Sequence, residues 1–110
     1  MVKSENKRIE KIGILGGTFD PPHKGHLKIS QIAKKKFNLK KIIWAITKKN
    51  PFKKKSLFNL KRRIALAKNF TNKKKYISVR FYEDKIKSNK TINLINHLEK
   101  KYKNYKIYYL

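Results

Sequence analysis

Ile12-Gly13-Ile14-Leu15-Gly16-Gly17-Thr18-Phe19-Asp20-Pro21-Pro22-His23-Lys24-Gly25-His26-Leu27 is the stretch that decides the fold. Its first four residues form a short apolar run, which reads as a buried strand, and Gly16-Gly17 turns the chain out of it. Glycines at such a turn permit unusual backbone angles and let main-chain N–H groups approach a phosphate closely. Pro21-Pro22 stiffens the entry to the next element and disfavours helix before it. A helix is expected from about Lys24, and its N-terminus presents an anion-friendly field. His23 and His26 are three apart, so on a first helical turn they share one face near the same anion. Gly25 between them is expected to leave room for a ligand.

Outward from this turn, apolar runs and amphipathic stretches alternate. Leu27, Ile29, Ile32, Ala33 and Phe37 space a first helix from about Lys24 to Phe37, with lysines opposite. Lys41 to Thr47 holds Ile42-Ile43-Trp44-Ala45-Ile46, a second buried strand in which Trp44 is core. Leu57 to Phe70 carries Leu60, Ile64, Leu66, Ala67 and Phe70, a second helix. Tyr76 to Phe81 alternates as a third strand. Ile92, Leu94, Ile95, Leu98 and Tyr102 mark a third helix, which Thr91 or Asn89 could cap. Lys106 to Leu110 is a fourth strand. The order βαβαβαβ implies an α/β fold: a Rossmann-like parallel sheet with flanking helices, residues 1–110 forming a single domain, incomplete at the C-terminus. Ligands of such sheets bind outside the carboxyl ends of the strands. This chain ends at such an end, so a truncation is expected.

Composition narrows the function classes. The chain has 110 residues, 39% hydrophobic and 12% aromatic, enough for a core despite the charge. Lys and Arg number 31 against 6 Asp and Glu, a formal +25. Clustered positive charge suits polyanions. Yet the only arginines are Arg8, Arg62, Arg63 and Arg80, whereas dedicated nucleic-acid binders draw on arginine for bidentate contacts. Abundant Lys, Asn and Ile are what AT-rich coding DNA over-uses, so the excess reads as compositional drift and a nucleic-acid partner is disfavoured. With no cysteine, disulfides, thiolate nucleophiles and Cys-ligated zinc are excluded. His97 belongs to a distant helix, so His23 and His26 do not read as a metal site. No apolar run reaches membrane-span length, and Met1 to Lys11 lacks a signal-peptide core. A cytoplasmic location is expected.

The motif from Gly16 to His26, with Leu27, resembles the signature of the nucleotidyltransferase superfamily that carries H-x-G-H. Its form is most similar to that of the bacterial nicotinate-nucleotide adenylyltransferases. Asn50-Pro51-Phe52-Lys53 falls where that family has a Pro-x-Lys segment, and Arg62-Arg63 where it usually carries an arginine. Ser88-Asn89-Lys90-Thr91-Ile92-Asn93-Leu94 resembles a further motif, with Lys90 in place of a Tyr and Asn93 in place of a second Thr. The similarity runs from about Lys11 to Leu110. The family's Gly-x-Asp segment, downstream Trp and Ser-Ser-Thr-x-x-Arg motif have no counterpart in these residues.

The resemblance implies transfer of the adenylyl group of ATP to nicotinate mononucleotide, giving deamido-NAD and pyrophosphate, with Mg²⁺ bridging the triphosphate. It assigns His23, His26 and Lys53 to catalysis at the phosphates. Gly16, Gly17, Thr18 and Phe19, with both histidines, would bind ATP; Asn50 and Thr91 would bind the mononucleotide. No protein nucleophile is needed, because the acceptor phosphate is already anionic. Plainer readings stand beside these. Asp20 orders the turn or caps the helix, Lys53 to Lys55 is a solvated charge run, Arg62 and Arg63 are structural or electrostatic, and Thr91 is only a cap. The rival functions are a related transferase with another phosphorylated acceptor, an inactive basic nucleic-acid-binding module, and a decayed fragment. The oligomeric state is left open.

Overall fold

In the computed structural model, residues 9–48 and 58–110 are described. The elements run β1 (Glu10–Gly17), α1 (Lys24–Phe37), β2 (Lys41–Ile46), α2 (Leu60–Phe70), β3 (Ile77–Arg80), α3 (Glu83–Ile86), α4 (Thr91–Lys101) and β4 (Tyr105–Tyr109). All strand pairs are parallel, in the order β3-β2-β1-β4, so the expected Rossmann-like α/β sheet is present. The one unforeseen element is α3, a single helical turn too short to show a 3.6-residue period.

The sheet steps from β1 to β2 to β3 and then crosses back to place β4 on the far side of β1. Such a reversal opens a crevice at the carboxyl ends of the strands, the usual place for a ligand. Alternation along the strands feeds two cores. Leu15, Ile42, Trp44, Ile46, Ile77 and Val79 face α1 and α2, whereas Ile12, Ile14, Ile43 and Ala45 face Tyr82 and Leu98 on the α3–α4 side. At Gly13 an added Cβ would lie 2.8 Å from Leu39 Cδ1 and 3.3 Å from Leu110 Cδ1. The bare glycine therefore lets the leucine after α1 seal the space beside β1 and β4.

The buried stripes differ from expectation in three places. Ile29 and Ile32 on α1 are 48% and 53% exposed, and Ile92 on α4 is 58% exposed. On α1 the residues turned inward are Ser30 and Ala33, with Leu27 and Phe37 at the margins. Small residues suit that face because α1 lies against Trp44, whose indole Nε1–H donates to Ser30 Oγ at 2.9 Å. Ser30 Oγ in turn donates to His26 O at 2.8 Å. Both groups are buried and both are satisfied, so a serine can occupy a core position. Trp44 is completely buried, as its strand context predicts.

A histidine-capped turn as candidate active site

The turn between β1 and α1 lies at the carboxyl end of β1, next to the end of β2, where Thr47 N–H donates to Gly17 O at 2.9 Å. Neither Gly16 nor Gly17 takes a positive φ. The left-handed residue is Phe19, at φ 51°. A side chain in that region costs on the order of 1 kcal/mol. The cost is offset because the Phe19 ring, 2% exposed, is stacked on Trp44 at 4.9 Å and lies 4.3 Å from the His26 ring. Burying a phenylalanine gains roughly 1.5–3 kcal/mol. Asp20 Oδ1 accepts from Phe58 N–H at 2.8 Å, so the acid orders the turn and does not cap α1.

The cap is His23. It sits just outside the helix in extended backbone, correcting the expectation that it occupies the first helical turn. Its Nδ1 accepts from Gly25 N–H at 3.0 Å, while His26 Nδ1 accepts from His23 N–H at 3.0 Å. This is a capping box built from two imidazoles, with ring centroids 4.0 Å apart. It also explains Gly25: a Cβ there would stand 2.7 Å from His23 Cε1. The glycine makes room for the capping ring, a different role from the expected clearance for a ligand.

The cap fixes the chemistry of both rings. A ring nitrogen that accepts a hydrogen bond carries no proton, so the proton of each neutral imidazole sits on Nε2. The result is two Nε2–H donors beside the N-terminus of a 14-residue helix. Burial lowers the His26 pKa from 6.5 to about 4, and the neighbouring His23 imidazole adds to the shift. His26 is therefore a neutral donor at physiological pH. Its folded-state pKa lies below its unfolded one, so the unfolded chain takes up a proton first as pH falls. The stability tied to neutral His26 is complete above about pH 6.5 and drains between there and pH 4. A ¹⁵N-imidazole titration should show His26 neutral down to about pH 4, with stability to urea falling across that window; a midpoint near 6.5 would contradict this environment.

A second structural group fits the plainer reading of Arg63, though its partners were not foreseen. Arg63 on α2 is 1% exposed, and its guanidinium is held by main-chain carbonyls. Nε donates to Phe58 O at 3.0 Å, Nη1 to Thr18 O at 2.8 Å and Thr47 O at 2.7 Å, and Nη2 to Lys48 O. The sequence did carry a signal. Leu60, Arg63, Ile64 and Ala67 follow the i, i+3, i+4, i+7 spacing of a buried stripe, and an arginine on that stripe needs a set of acceptors.

The family model described as cytidylyltransferase-like matches residues 14–109. The chain belongs to the cytidylyltransferase-like family. Among relatives of this cytidylyltransferase-like chain, a protein of Pelagibacter ubique named "Probable nicotinate-nucleotide adenylyltransferase" is 58% identical over 113 residues, covering all of this chain and 62% of that protein. A protein of Ruegeria sp. with the same name is 34% identical over 91 residues, covering 83% of this chain and 48% of that one. The chain thus spans about half to two-thirds of the length of these relatives. Among solved structures, the nicotinic acid mononucleotide adenylyltransferase of Plasmodium falciparum, complexed with NaAD, superposes with a TM-score of 0.72 at 21% identity. That alignment covers 91% of this chain and 50% of that structure, and it carries the fold.

In this cytidylyltransferase-like chain, the sequence-predicted residues fall in two groups. Gly16, Gly17, Thr18, Phe19, His23 and His26 come together at the capped turn. Thr91 lines a small cleft of about 30 Å³ across the end of β2, with Ala45, Ile46, Thr47, Tyr82 and Glu83 among its neighbours. Thr91 is not the cap of α4: Lys90 holds that position without a side-chain bond. Ser88 orders the approach instead, its Oγ accepting from Lys90 N–H at 3.1 Å and from Asn93 Nδ2 at 2.8 Å. Asn50 and Lys53 lie outside the described residues. The short α3 grips the neighbouring Lys48, Glu83 Oε1 accepting from its N–H at 3.1 Å and Asp84 pairing with its Nζ at 2.8 Å. Among the described residues, no cluster of three or more His, Cys, Asp or Glu could hold a metal, and no helix is long and apolar enough to cross a membrane.

Proposed function

We propose that the protein transfers the adenylyl group of ATP to nicotinate mononucleotide, forming deamido-NAD and pyrophosphate, a step of NAD synthesis in the cytoplasm. The observation that carries this reading is the double-histidine cap, which leaves an Nε2–H on each ring at a helix N-terminus beside the turn that follows Gly17. The names of the relatives support the choice of substrates.

Mg²⁺ would enter with ATP as part of the substrate and would supply positive charge at the triphosphate, whose oxygens suit a hard cation better than imidazole. A phosphate oxygen of the mononucleotide attacks the α-phosphorus of ATP. The bond from that phosphorus to the bridging oxygen breaks, and pyrophosphate leaves with the electron pair. No proton must be removed from the nucleophile, so the protein's task is alignment and charge stabilisation. His26 and His23 donate through Nε2–H to phosphate oxygens, and the end of β1 with the turn after it, Gly16 to Phe19, shapes the nucleotide site. Lys53 adds a cation at the phosphates. Asn50 and Thr91 are assigned to the acceptor nucleotide. The +25 charge raises the local concentration of both anionic substrates.

A pyrophosphate-release panel tests this directly. ATP with nicotinate mononucleotide should outrun ATP with nicotinamide mononucleotide, ATP with phosphopantetheine, and CTP with each acceptor. Preferred release with phosphopantetheine or with CTP would replace the reading by another transferase of the family. No release with any pair would remove it.

A further inference from the structure

One guanidinium bonds to three separate pieces of backbone around the candidate site. Thr18 belongs to the turn after β1, Thr47 and Lys48 to the end of β2, and Phe58 to the approach to α2. Thr18 directly precedes the strained Phe19, whose ring packs on His26. Asp20 and Arg63 both bond to Phe58, one at its N–H and the other at its carbonyl, so the turn and α2 meet at a single residue. A core cation held only to fill space would be a poor choice, because burying it is costly and an apolar side chain packs as well. The five N–H donors of arginine in a rigid fork can serve several carbonyls at once; the single ammonium of lysine cannot reproduce that pattern.

We propose that Arg63 is a positioning residue for the reaction: by tying the carbonyls of Thr18, Thr47, Lys48 and Phe58, it holds the β1–α1 turn and its two histidines in register with the end of β2. It touches no reacting atom and acts through Thr18 and Phe19. The kinetic part of the test rests on the adenylyl-transfer reading; the spectroscopic part rests only on the binding of MgATP at the turn.

Arg63→Lys keeps the charge and loses the fork. With its fold verified by circular dichroism, it should lower kcat by about 10²-fold, the scale of a small misalignment, with KM for ATP within a few-fold. Guanidinium ion at non-denaturing concentration should restore part of the rate of Arg63→Ala, and ammonium should not. Wild-type protein labelled with ¹⁵N-arginine supplies a readout that no folding defect can blur. The Arg63 Nε–H signal should shift on saturation with MgATP, because the turn it holds meets the phosphates. A folded Arg63→Lys with kcat within two-fold of wild type overturns the proposal, as does an Arg63 signal that stays unmoved while MgATP is bound. Wild-type protein that binds MgATP but releases no pyrophosphate removes the transfer reading alone, and the Arg63 signal then decides the positioning role.

Discussion

His26→Ala should lower turnover by about 10² or more, the scale of losing one donor to transition-state charge. The substitution removes two things. One is the Nε2–H donor; the other is the Nδ1 acceptor that satisfies His23 N–H at 3.0 Å. Loss of a cap costs helix stability of about 1 kcal/mol, so a mere capping role would appear as a lower Tm with rate retained at low temperature. Two variants separate the effects. His26→Asn carries an acceptor close to where Nδ1 stands and no donor at the reach of Nε2; it should keep most of the stability and lose the rate. His26→Gln, the usual capping-box residue at this position, should also keep the cap through its side-chain oxygen and recover at most part of the rate through its amide N–H₂. Steady-state rates within a few-fold of wild type for His26→Asn would end the catalytic assignment.

Trp44→Ala should destabilise the domain by about 3–5 kcal/mol, the range for emptying a large buried aromatic site. Small domains hold roughly 5–15 kcal/mol in all, so much of the margin would vanish. The residue is fully buried, stacks on Phe19 at 4.9 Å and donates to Ser30 at 2.9 Å. Its removal deprives Phe19 of the packing that offsets a left-handed backbone, so the turn should loosen along with the core. Trp44→Phe keeps most of the stack and gives up the indole hydrogen bond, a loss on the order of 1 kcal/mol. Urea unfolding followed by far-ultraviolet circular dichroism checks both. A loss below about 1 kcal/mol for Trp44→Ala, no more than one ordinary hydrogen bond, would contradict the packing described for this turn.

The parallel sheet was legible because β1 and β2 hold short apolar runs, β3 alternates, and amphipathic stretches separate them. The chemistry was legible at Gly16–His26 because turn, proline and histidine residues fall together between a strand and a helix. What escaped the sequence was the division of labour inside that motif. Conformational freedom was expected of Gly16 and Gly17, but Phe19 takes the positive φ because its buried ring compensates. Clearance for a ligand was expected of Gly25, but the nearest obstacle is the cap's own imidazole. A long-range tie such as Asp20 to Phe58 leaves no local pattern at either residue. Ile29 and Ile32 misled the reading of α1 because hydrophobicity was weighed without size: close contact with Trp44 selects Ser30 and Ala33 for the inner face. Arg63 was visible as an arginine in an apolar stripe, yet its role as a knot of carbonyls depends on three loops that only the fold brings together.

The central claim is that two histidines, locked by their mutual cap, present Nε2–H donors to the phosphates of ATP. The measurement that tests it most directly is ¹⁵N-histidine NMR at pH 7 during titration with MgATP. His26 should appear as the neutral Nε2–H tautomer from the start, and the Nε2–H signals of His23 and His26 should move together and saturate with the nucleotide. An Nδ1–H tautomer at His26, or Nε2 signals that stay fixed under saturating MgATP, would contradict the account.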